Sequence, residues 1–286
     1  MNVNQLISEK LDLLRGAGVS SSRYEIKILI GHILGVEPKE VNPSAELNSS
    51  QVDLLTGMVQ QRLLHKPIDK IVGRKGFYKY DFEVNEDVLS PREDTEILVE
   101  KAIQILKNIK TPKILEFGVG SGCIILSILS DIAGAAGWGI DISKKALAIA
   151  ELNAQRLGIT PARLTLWQKS WFDDDFALKA SEFAPFDMIV SNPPYIPTGE
   201  IECLDEEVKS YDPYIALEGG EDGLRDYTQI IKLSENLLKE NGYMLLEAGD
   251  SNQLAEIKKQ AVSKGLVFVD ILKDLSNNER CIILKK

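Results

Sequence analysis

The spacing of apolar residues in the first quarter of the chain is that of amphipathic helices. Between residues 22 and 35 the apolar positions lie three and four apart: Ile26, Leu29, Ile30, Ile33 and Leu34. Ser22 and Glu25 have the spacing of a capping box, and Gly35 marks the end of this helix. A similar stripe lies between residues 49 and 67, so residues 1–72 are predicted to form a small helical domain.

The period changes to two over residues 73–90. Tyr78, Tyr80, Phe82 and Val84 alternate with polar residues, which predicts a short β-hairpin with these four side chains on one face. The hairpin is expected to link the helical domain to a larger domain over residues 91–286.

Strand and helix patterns alternate through the rest of the chain. Seven strands are predicted, near residues 113–117, 136–141, 163–168, 186–191, 242–248, 266–272 and 280–285. Such alternation is typical of an α/β fold with a doubly wound, mostly parallel sheet. Ligands of these folds bind at the carboxyl ends of the strands, so the residues that follow each strand are the candidates for chemistry.

Composition narrows the class of partner. Among 286 residues the formal net charge is −10, which disfavours nonspecific binding to nucleic-acid phosphates. Three cysteines at wide spacing and two histidines predict neither a disulfide framework nor a metal site. With no apolar leader and no long apolar run, the expected location is the reducing cytoplasm and no membrane association is expected.

A glycine-rich turn follows the strand predicted at 113–117. The cofactor-binding candidates here are Gly118, Val119, Gly120, Ser121 and Gly122. Glycines at a strand-to-helix turn let backbone N–H groups approach a ligand, but the spacing fits neither the dinucleotide fingerprint nor the phosphate loop. A plain turn without a ligand remains the alternative.

Asp141 ends the next strand, about twenty residues beyond the glycine turn. A carboxylate at this place can accept hydrogen bonds from both ribose hydroxyls of an adenosine. It can instead cap the helix that starts near Ser143. The two motifs together favour an adenosine-containing ligand.

Two adjacent prolines follow the strand predicted at 186–191, in the run Asn192-Pro193-Pro194-Tyr195. Proline has no N–H, so this segment offers acceptors and not donors. The Asn192 side-chain oxygen and the Pro193 carbonyl could accept both N–H groups of a planar amine or amide, and Tyr195 could stack on it.

These motifs resemble those of a known enzyme family. Asn192-Pro193-Pro194-Tyr195, together with Glu116 and the three glycines, is similar to the S-adenosylmethionine-dependent methyltransferases that act on planar amino nitrogens. Further segments, including Ala216 to Leu224, make nearly the whole chain resemble the peptide chain release factor glutamine N5-methyltransferases of the HemK or PrmC type.

The resemblance implies a fold, a cofactor and a substrate. It implies a class I methyltransferase fold with seven strands, S-adenosylmethionine as the methyl donor and S-adenosylhomocysteine as product. The substrate would be the glutamine of the Gly-Gly-Gln motif in class 1 release factors, gripped in part by the helical domain.

The resemblance also implies roles for residues. Gly118 to Gly122, Asp141 and Asn192 would hold the cofactor, and Trp171 would flank its adenine, although Lys169-Ser170 precede it where the family usually has an acidic residue. Residues Asn192 to Tyr195 would hold the glutamine amide. For Trp171 a packing role remains the alternative.

Two other functions share these motifs. The same acceptors would serve methylation of adenine or guanine amino groups, or of a glutamine in a ribosomal protein, and the acidic charge disfavours nucleic acid. A binding module that keeps the fold without catalysis is the alternative from a different class.

Overall fold

The computed structural model describes residues 1–286, and the chain divides into two compact units. The first unit consists of Met1–Arg74 together with Asp205–Tyr211, and the second consists of Lys75–Leu204 and Asp212–Lys286. A segment from the middle of the chain therefore completes the N-terminal unit.

The N-terminal residues of the first unit form four helices, α1 (Val3–Gly16), α2 (Arg23–Leu34), α3 (Ser49–Leu63) and α4 (Ile68–Val72), with a 3₁₀ turn at Pro38–Glu40. At the start of α2 the Ser22 hydroxyl accepts from the Glu25 N–H at 3.1 Å, and the Glu25 carboxylate accepts from the Ser22 N–H at 2.6 Å. Gly35 ends the helix with φ of 68°. The predicted capping signals of α2 are confirmed.

Residues 205–211 are held in the first unit by polar contacts. The Arg62 guanidinium, only 3% exposed, pairs with the Glu207 carboxylate at 2.5 Å. The Tyr211 hydroxyl donates to the Leu64 carbonyl at 2.6 Å, and the Lys70 ammonium donates to the Tyr211 carbonyl. Removing the N-terminal residues would leave this segment without its partners.

The remaining elements alternate along the chain: β1 (Arg74–Phe77), β2 (Tyr80–Glu83), α5 (Glu96–Leu106), β3 (Lys113–Phe117), α6 (Cys123–Asp131), β4 (Ala136–Asp141), α7 (Lys144–Arg156), β5 (Leu164–Gln168), α8 (Phe176–Ser181), β6 (Phe186–Ser191), α9 (Glu206–Lys209), α10 (Tyr214–Leu217), α11 (Arg225–Leu237), β7 (Leu238–Glu247), α12 (Ser251–Ser263), β8 (Val267–Lys273) and β9 (Glu279–Lys285). Two further 3₁₀ turns span Glu93–Thr95 and Thr198–Cys203. All belong to the second unit except α9 and the first residue of β1.

A seven-stranded sheet with the order β5-β4-β3-β6-β7-β9-β8 forms the centre of the second unit. Strands β3 to β7 pair in parallel, and β9 runs antiparallel to both β7 and β8. The predicted α/β fold with a mostly parallel sheet is confirmed. Because β3 lies between β4 and β6, the strand order reverses there, which places the expected ligand crevice beyond the ends of these three strands.

Apolar residues cover both faces of the sheet. Along β3, Ile114 packs into one core cluster, whereas Leu115 and Phe117 pack into the other. All six residues of β6 are buried. A central strand buried on both faces explains the apolar run Met188-Ile189-Val190 within β6.

The hairpin packs within the second unit. Phe77 and Phe82 are buried, with ring centroids 6.0 Å apart, and pack into the core cluster that includes Leu98 of α5. Tyr78 and Tyr80 pack half-buried against the same cluster, but Tyr78 lies in the turn with φ of 57°, and Phe77 is the buried aromatic residue of β1. No helix of the chain is both long and apolar enough to cross a membrane.

Candidate active site

A cavity of about 290 Å³ opens beyond the carboxyl ends of β3, β4 and β6. Its lining includes six of the residues singled out from sequence: Gly118, Gly120, Asp141, Trp171, Asn192 and Pro194. These residues lie far apart in the chain, and the parallel strand order brings them together.

Gly118 lets the glycine-rich turn of residues 118–122, called the glycine loop below, pass close to the rest of the cavity wall. Its φ of 74° is a conformation that residues with a side chain rarely adopt. A Cβ at this position would lie 3.8 Å from the Trp171 ring and 3.9 Å from the Asn192 carbonyl oxygen. The loop is anchored because the Gly118 N–H donates to the Ile140 carbonyl at 2.9 Å.

The other residues of the glycine loop lie behind the cavity surface. Val119 and Ser121 are buried, and the Ser121 carbonyl accepts from the Asn153 side chain at 2.9 Å. Gly122 is the N-cap of α6. These residues shape the loop, while Gly118 and Gly120 face the cavity.

Asp141 joins the end of β4 to the glycine loop. One carboxylate oxygen accepts from the Gly120 N–H and the other from the Ser143 N–H, both at 2.9 Å. Ser143, not Asp141, caps α7, because its hydroxyl accepts from the Ala146 N–H at 3.1 Å. Burial raises the pKa of Asp141 while these two hydrogen bonds oppose the shift. Each carboxylate oxygen keeps a second lone pair for a ligand in the cavity.

Trp171 is both a cavity wall and a packed residue. It is 8% exposed, and its ring meets Phe117 edge to face with centroids 6.0 Å apart. Its indole N–H donates to the buried Asp226 carboxylate at 3.0 Å, and its carbonyl accepts from the Gln229 amide at 2.8 Å. These contacts fix the ring, so a flat apolar surface is held ready at the cavity.

The segment Asn192 to Tyr195 lies at the end of β6. Asn192 and Pro194 line the cavity, Pro193 is buried, and Tyr195 is half-buried. Burial raises the pKa of Tyr195 to about 12, so its hydroxyl stays protonated at neutral pH. The Tyr195 carbonyl accepts from the Gln253 side chain at 2.7 Å.

A second loop, residues 216–224, holds this segment from one side. The Ile196 N–H donates to the Leu217 carbonyl and the Gly219 N–H donates to the Ile196 carbonyl, both at 2.9 Å. A Cβ on Gly219 would fall 2.6 Å from the Pro194 carbonyl oxygen. The sequence resemblance pointed to this loop but gave it no role, and its glycines allow the close approach.

Two buried residues hold the Asn192 side chain, and sequence reasoning missed both roles. The Asn192 amide nitrogen donates to Glu247 Oε1 at 2.8 Å and to Thr95 Oγ1 at 3.3 Å. Burial raises the pKa of Glu247 to about 7. An acidic residue at the end of a buried strand was the available signal, because burying a carboxylate is costly.

Family models match both parts of the chain. Residues 5–73 match a model described as the PrmC N-terminal domain, and residues 110–281 match a methyltransferase domain. The second match covers more than half of the chain.

Full-length relatives decide the family. A release factor glutamine methyltransferase of Rhodospirillum rubrum is 37% identical over 275 residues, covering 96% of this chain and 82% of that protein. One of Caulobacter vibrioides is 35% identical, covering 95% of this chain and 92% of that protein. The chain belongs to the release factor glutamine methyltransferase family. As a member, it is an S-adenosylmethionine-dependent methyltransferase.

A comparison with solved structures agrees with the fold of this protein. A structure described as an S-adenosylmethionine-dependent methyltransferase from Streptococcus mutans superposes with a TM-score of 0.52 at 14% identity, covering 72% of this chain and 53% of that one. At this identity the likeness shows the methyltransferase fold alone.

Proposed function

We propose that this protein transfers the methyl group of S-adenosylmethionine to the side-chain amide nitrogen, N5, of a glutamine. The glutamine is that of the Gly-Gly-Gln motif in class 1 peptide chain release factors. The proposal rests on one observation: the side-chain nitrogen of Asn192, which lines the cavity, donates hydrogen bonds to two buried acceptors. An amide held in this way offers its oxygen to a substrate N–H.

The cavity residues fit S-adenosylmethionine. Asp141 is placed to accept from the ribose hydroxyls, Gly118 and Gly120 leave room for close backbone approach, and Trp171 provides a flat wall for the adenine. When bound, the cofactor supplies an electrophilic methyl group on a positively charged sulfur. The raised pKa of Asp141 would fall again once hydroxyl groups donate to its carboxylate.

The hydrogen-bond acceptors of residues 192–195 would make an amide nitrogen easier to methylate. The lone pair of an amide nitrogen is delocalised into its carbonyl, so the nitrogen is a weak nucleophile. Acceptance of its two N–H bonds by Asn192 Oδ1 and the Pro193 carbonyl would orient the nitrogen and stabilise the positive charge that develops on it. Tyr195 would stack on the planar amide and exclude water.

The helical unit, in our proposal, recognises the release factor and takes no part in the chemistry. Every residue assigned to cofactor or amide binding lies in the second unit. The helical unit exposes large apolar side chains, among them Tyr24 at 58%, Leu54 at 58% and Leu64 at 69%. A short peptide buries too little surface for tight binding, so contacts remote from the glutamine would supply affinity and orientation.

A transfer assay with labelled methyl donor tests the proposal. The purified protein is incubated with labelled S-adenosylmethionine and, in parallel, a class 1 release factor, ribosomal protein or duplex DNA. Incorporation into the release factor alone supports the proposal, provided that the Asn192→Ala variant loses it. Incorporation into DNA or ribosomal protein, with none into the factor, would overturn it.

A further inference from the structure

The orientation of the Asn192 amide depends on a buried carboxylate from the neighbouring strand. Asn192 directly follows β6 and Glu247 ends β7, where Ser191 pairs with Leu246 in the parallel ladder. Glu247 is 3% exposed and Thr95, the second acceptor, is 2% exposed. The strand register therefore places a carboxylate 2.8 Å from the Asn192 nitrogen, out of reach of solvent.

An ionised carboxylate can accept hydrogen bonds but cannot donate them. Rotating the Asn192 amide by half a turn would bring its oxygen against Glu247 Oε1 with no hydrogen between the two atoms. The carboxylate therefore selects the orientation in which nitrogen faces the interior. No hydrogen bond within the protein uses Asn192 Oδ1, and Asn192 lines the cavity.

We propose that Glu247 is a positioning residue for methyl transfer: its carboxylate fixes the Asn192 amide so that Oδ1, and not the NH₂ group, meets the substrate nitrogen. This inference rests on the proposed function for the identity of the substrate. A neutral group of the same shape would permit both orientations, because a protonated carboxyl or a carboxamide can also donate. In the reversed orientation an Asn192 N–H would face a substrate N–H, and the two donors would repel.

Glu247 is not a group kept only for folding. Its second oxygen, Oε2, is buried without a hydrogen-bond partner. Such an atom destabilises the folded protein, and burial accordingly raises the pKa of Glu247 to about 7. Glu247 lowers the stability of the folded protein and orients an acceptor at the cavity. Replacing it is therefore expected to lower activity without lowering stability.

Other titratable and charged groups surround Glu247: Asp94, Cys123, Tyr195, Tyr227, Arg280 and Cys281. Asp94 raises and Arg280 lowers the pKa of Glu247, while burial raises the pKa values of both tyrosines and both cysteines. A titration near pH 7 that is lost on replacing Glu247 is therefore assigned to its carboxyl group.

The kinetic test compares Glu247→Gln, Asn192→Ala and the double variant in the full-length enzyme with release factor and S-adenosylmethionine. Glu247→Gln is expected to lower kcat roughly tenfold to a hundredfold, as loss of a well-placed transition-state acceptor does. The KM for the cofactor should stay within about twofold, and the melting temperature should not fall. In the Asn192→Ala background, Glu247→Gln should have no further effect, because its action passes through Asn192.

An unchanged kcat in Glu247→Gln would overturn the inference, as would a loss of the same size in the Asn192→Ala background. A variant that loses activity together with its melting temperature would indicate a structural role and also overturn it.

A measurement on the enzyme without substrate separates this inference from the proposed function. The side-chain amide signals of Asn192, followed by NMR in the wild type, should shift with a midpoint near pH 7, and this shift should vanish in Glu247→Gln. If the wild type methylates no release factor, the proposed function fails while this titration still decides the role of Glu247. Asn192 amide signals that are the same in the wild type and in Glu247→Gln over the whole pH range would contradict the inference.

Discussion

Replacing Gly223 by alanine should displace the segment that carries Tyr195. Gly223 has φ of 72°, and a Cβ there would lie 2.3 Å from the Tyr195 carbonyl oxygen and 2.4 Å from the Gln253 amide nitrogen. Real Cβ contacts essentially never fall below 3.0 Å, so the Cβ and the Tyr195 carbonyl oxygen must move apart by at least 0.7 Å, from 2.3 to 3.0 Å, and the Cβ and the Gln253 nitrogen by at least 0.6 Å, from 2.4 to 3.0 Å. The Gln253 amide also donates to the Tyr195 carbonyl, so the shift would disturb that hydrogen bond as well.

The expected loss of activity is large compared with the loss of stability. A misplacement of this order in an active site can lower kcat/KM by about a hundredfold. The positive φ alone costs an alanine roughly 1 to 2 kcal/mol. Gly158 offers a matched control, because its φ is 71° and a Cβ there meets nothing within 4 Å.

The assay compares Gly223→Ala and Gly158→Ala by urea denaturation and by methyl transfer at saturating cofactor. Both variants should lose stability, since both carry the backbone strain, but only Gly223→Ala should lose transfer activity. Wild-type kcat/KM in a folded Gly223→Ala would refute the claim that loop 216–224 seats the Tyr195 segment. A similar activity loss in Gly158→Ala would show that strain alone is responsible.

Four further expectations follow from the site. Asn192→Ala should lower kcat roughly a hundredfold; a raised KM with normal kcat in steady-state kinetics would contradict this. Asp141→Ala should weaken S-adenosylmethionine binding by about 1.5 to 3 kcal/mol in calorimetry, and unchanged affinity would remove the ribose assignment. Glu247→Gln should be more stable than wild type by about 3 kcal/mol at pH 8. Folding raises the pKa of Glu247 from 4.5 to about 7, so the wild-type protein loses stability as the pH rises through this range, whereas the variant with a neutral amide does not. An equal urea midpoint for the two proteins at pH 8 would contradict it. Leu54→Ser should lower kcat/KM on intact release factor and not on a Gly-Gly-Gln peptide, whereas Leu178→Ser, at an exposed position of the second unit, should affect neither.

The sheet could be predicted from the sequence because its signals are local. Residues 113–117 and 186–191 were predicted as strands and form β3 and β6 with the same bounds. The buried run of β3 ends at a glycine-rich turn, and that of β6 ends at Asn192 and two prolines. The hairpin was harder to predict, because Phe77 and Tyr78 are adjacent aromatic residues, and alternation alone does not show which of them ends the strand and which lies in the turn.

The contacts that hold the site could not be predicted, because they depend on register and on distant segments. Glu247 meets Asn192 only because β6 and β7 are neighbours with one particular register. Residues 205–211 carry no periodic pattern that would assign them to the helical unit, yet Glu207 pairs with Arg62 there. Asp141 was predicted either to bind ribose or to cap a helix. Its carboxylate accepts hydrogen bonds from the Gly120 and Ser143 N–H groups, so it holds the glycine loop in place and still lines the cavity.

Mass spectrometry of the release factor tests the central claim most directly. Purified class 1 factor from cells that lack glutamine methylation would be incubated with this protein and S-adenosylmethionine, digested, and sequenced by fragmentation. We predict one added methyl group, located on the side-chain nitrogen of the Gly-Gly-Gln glutamine and absent when Asn192→Ala replaces the wild type. A methyl group on any other residue, or an unmodified Gly-Gly-Gln peptide from the reaction with active wild-type protein, would contradict the account.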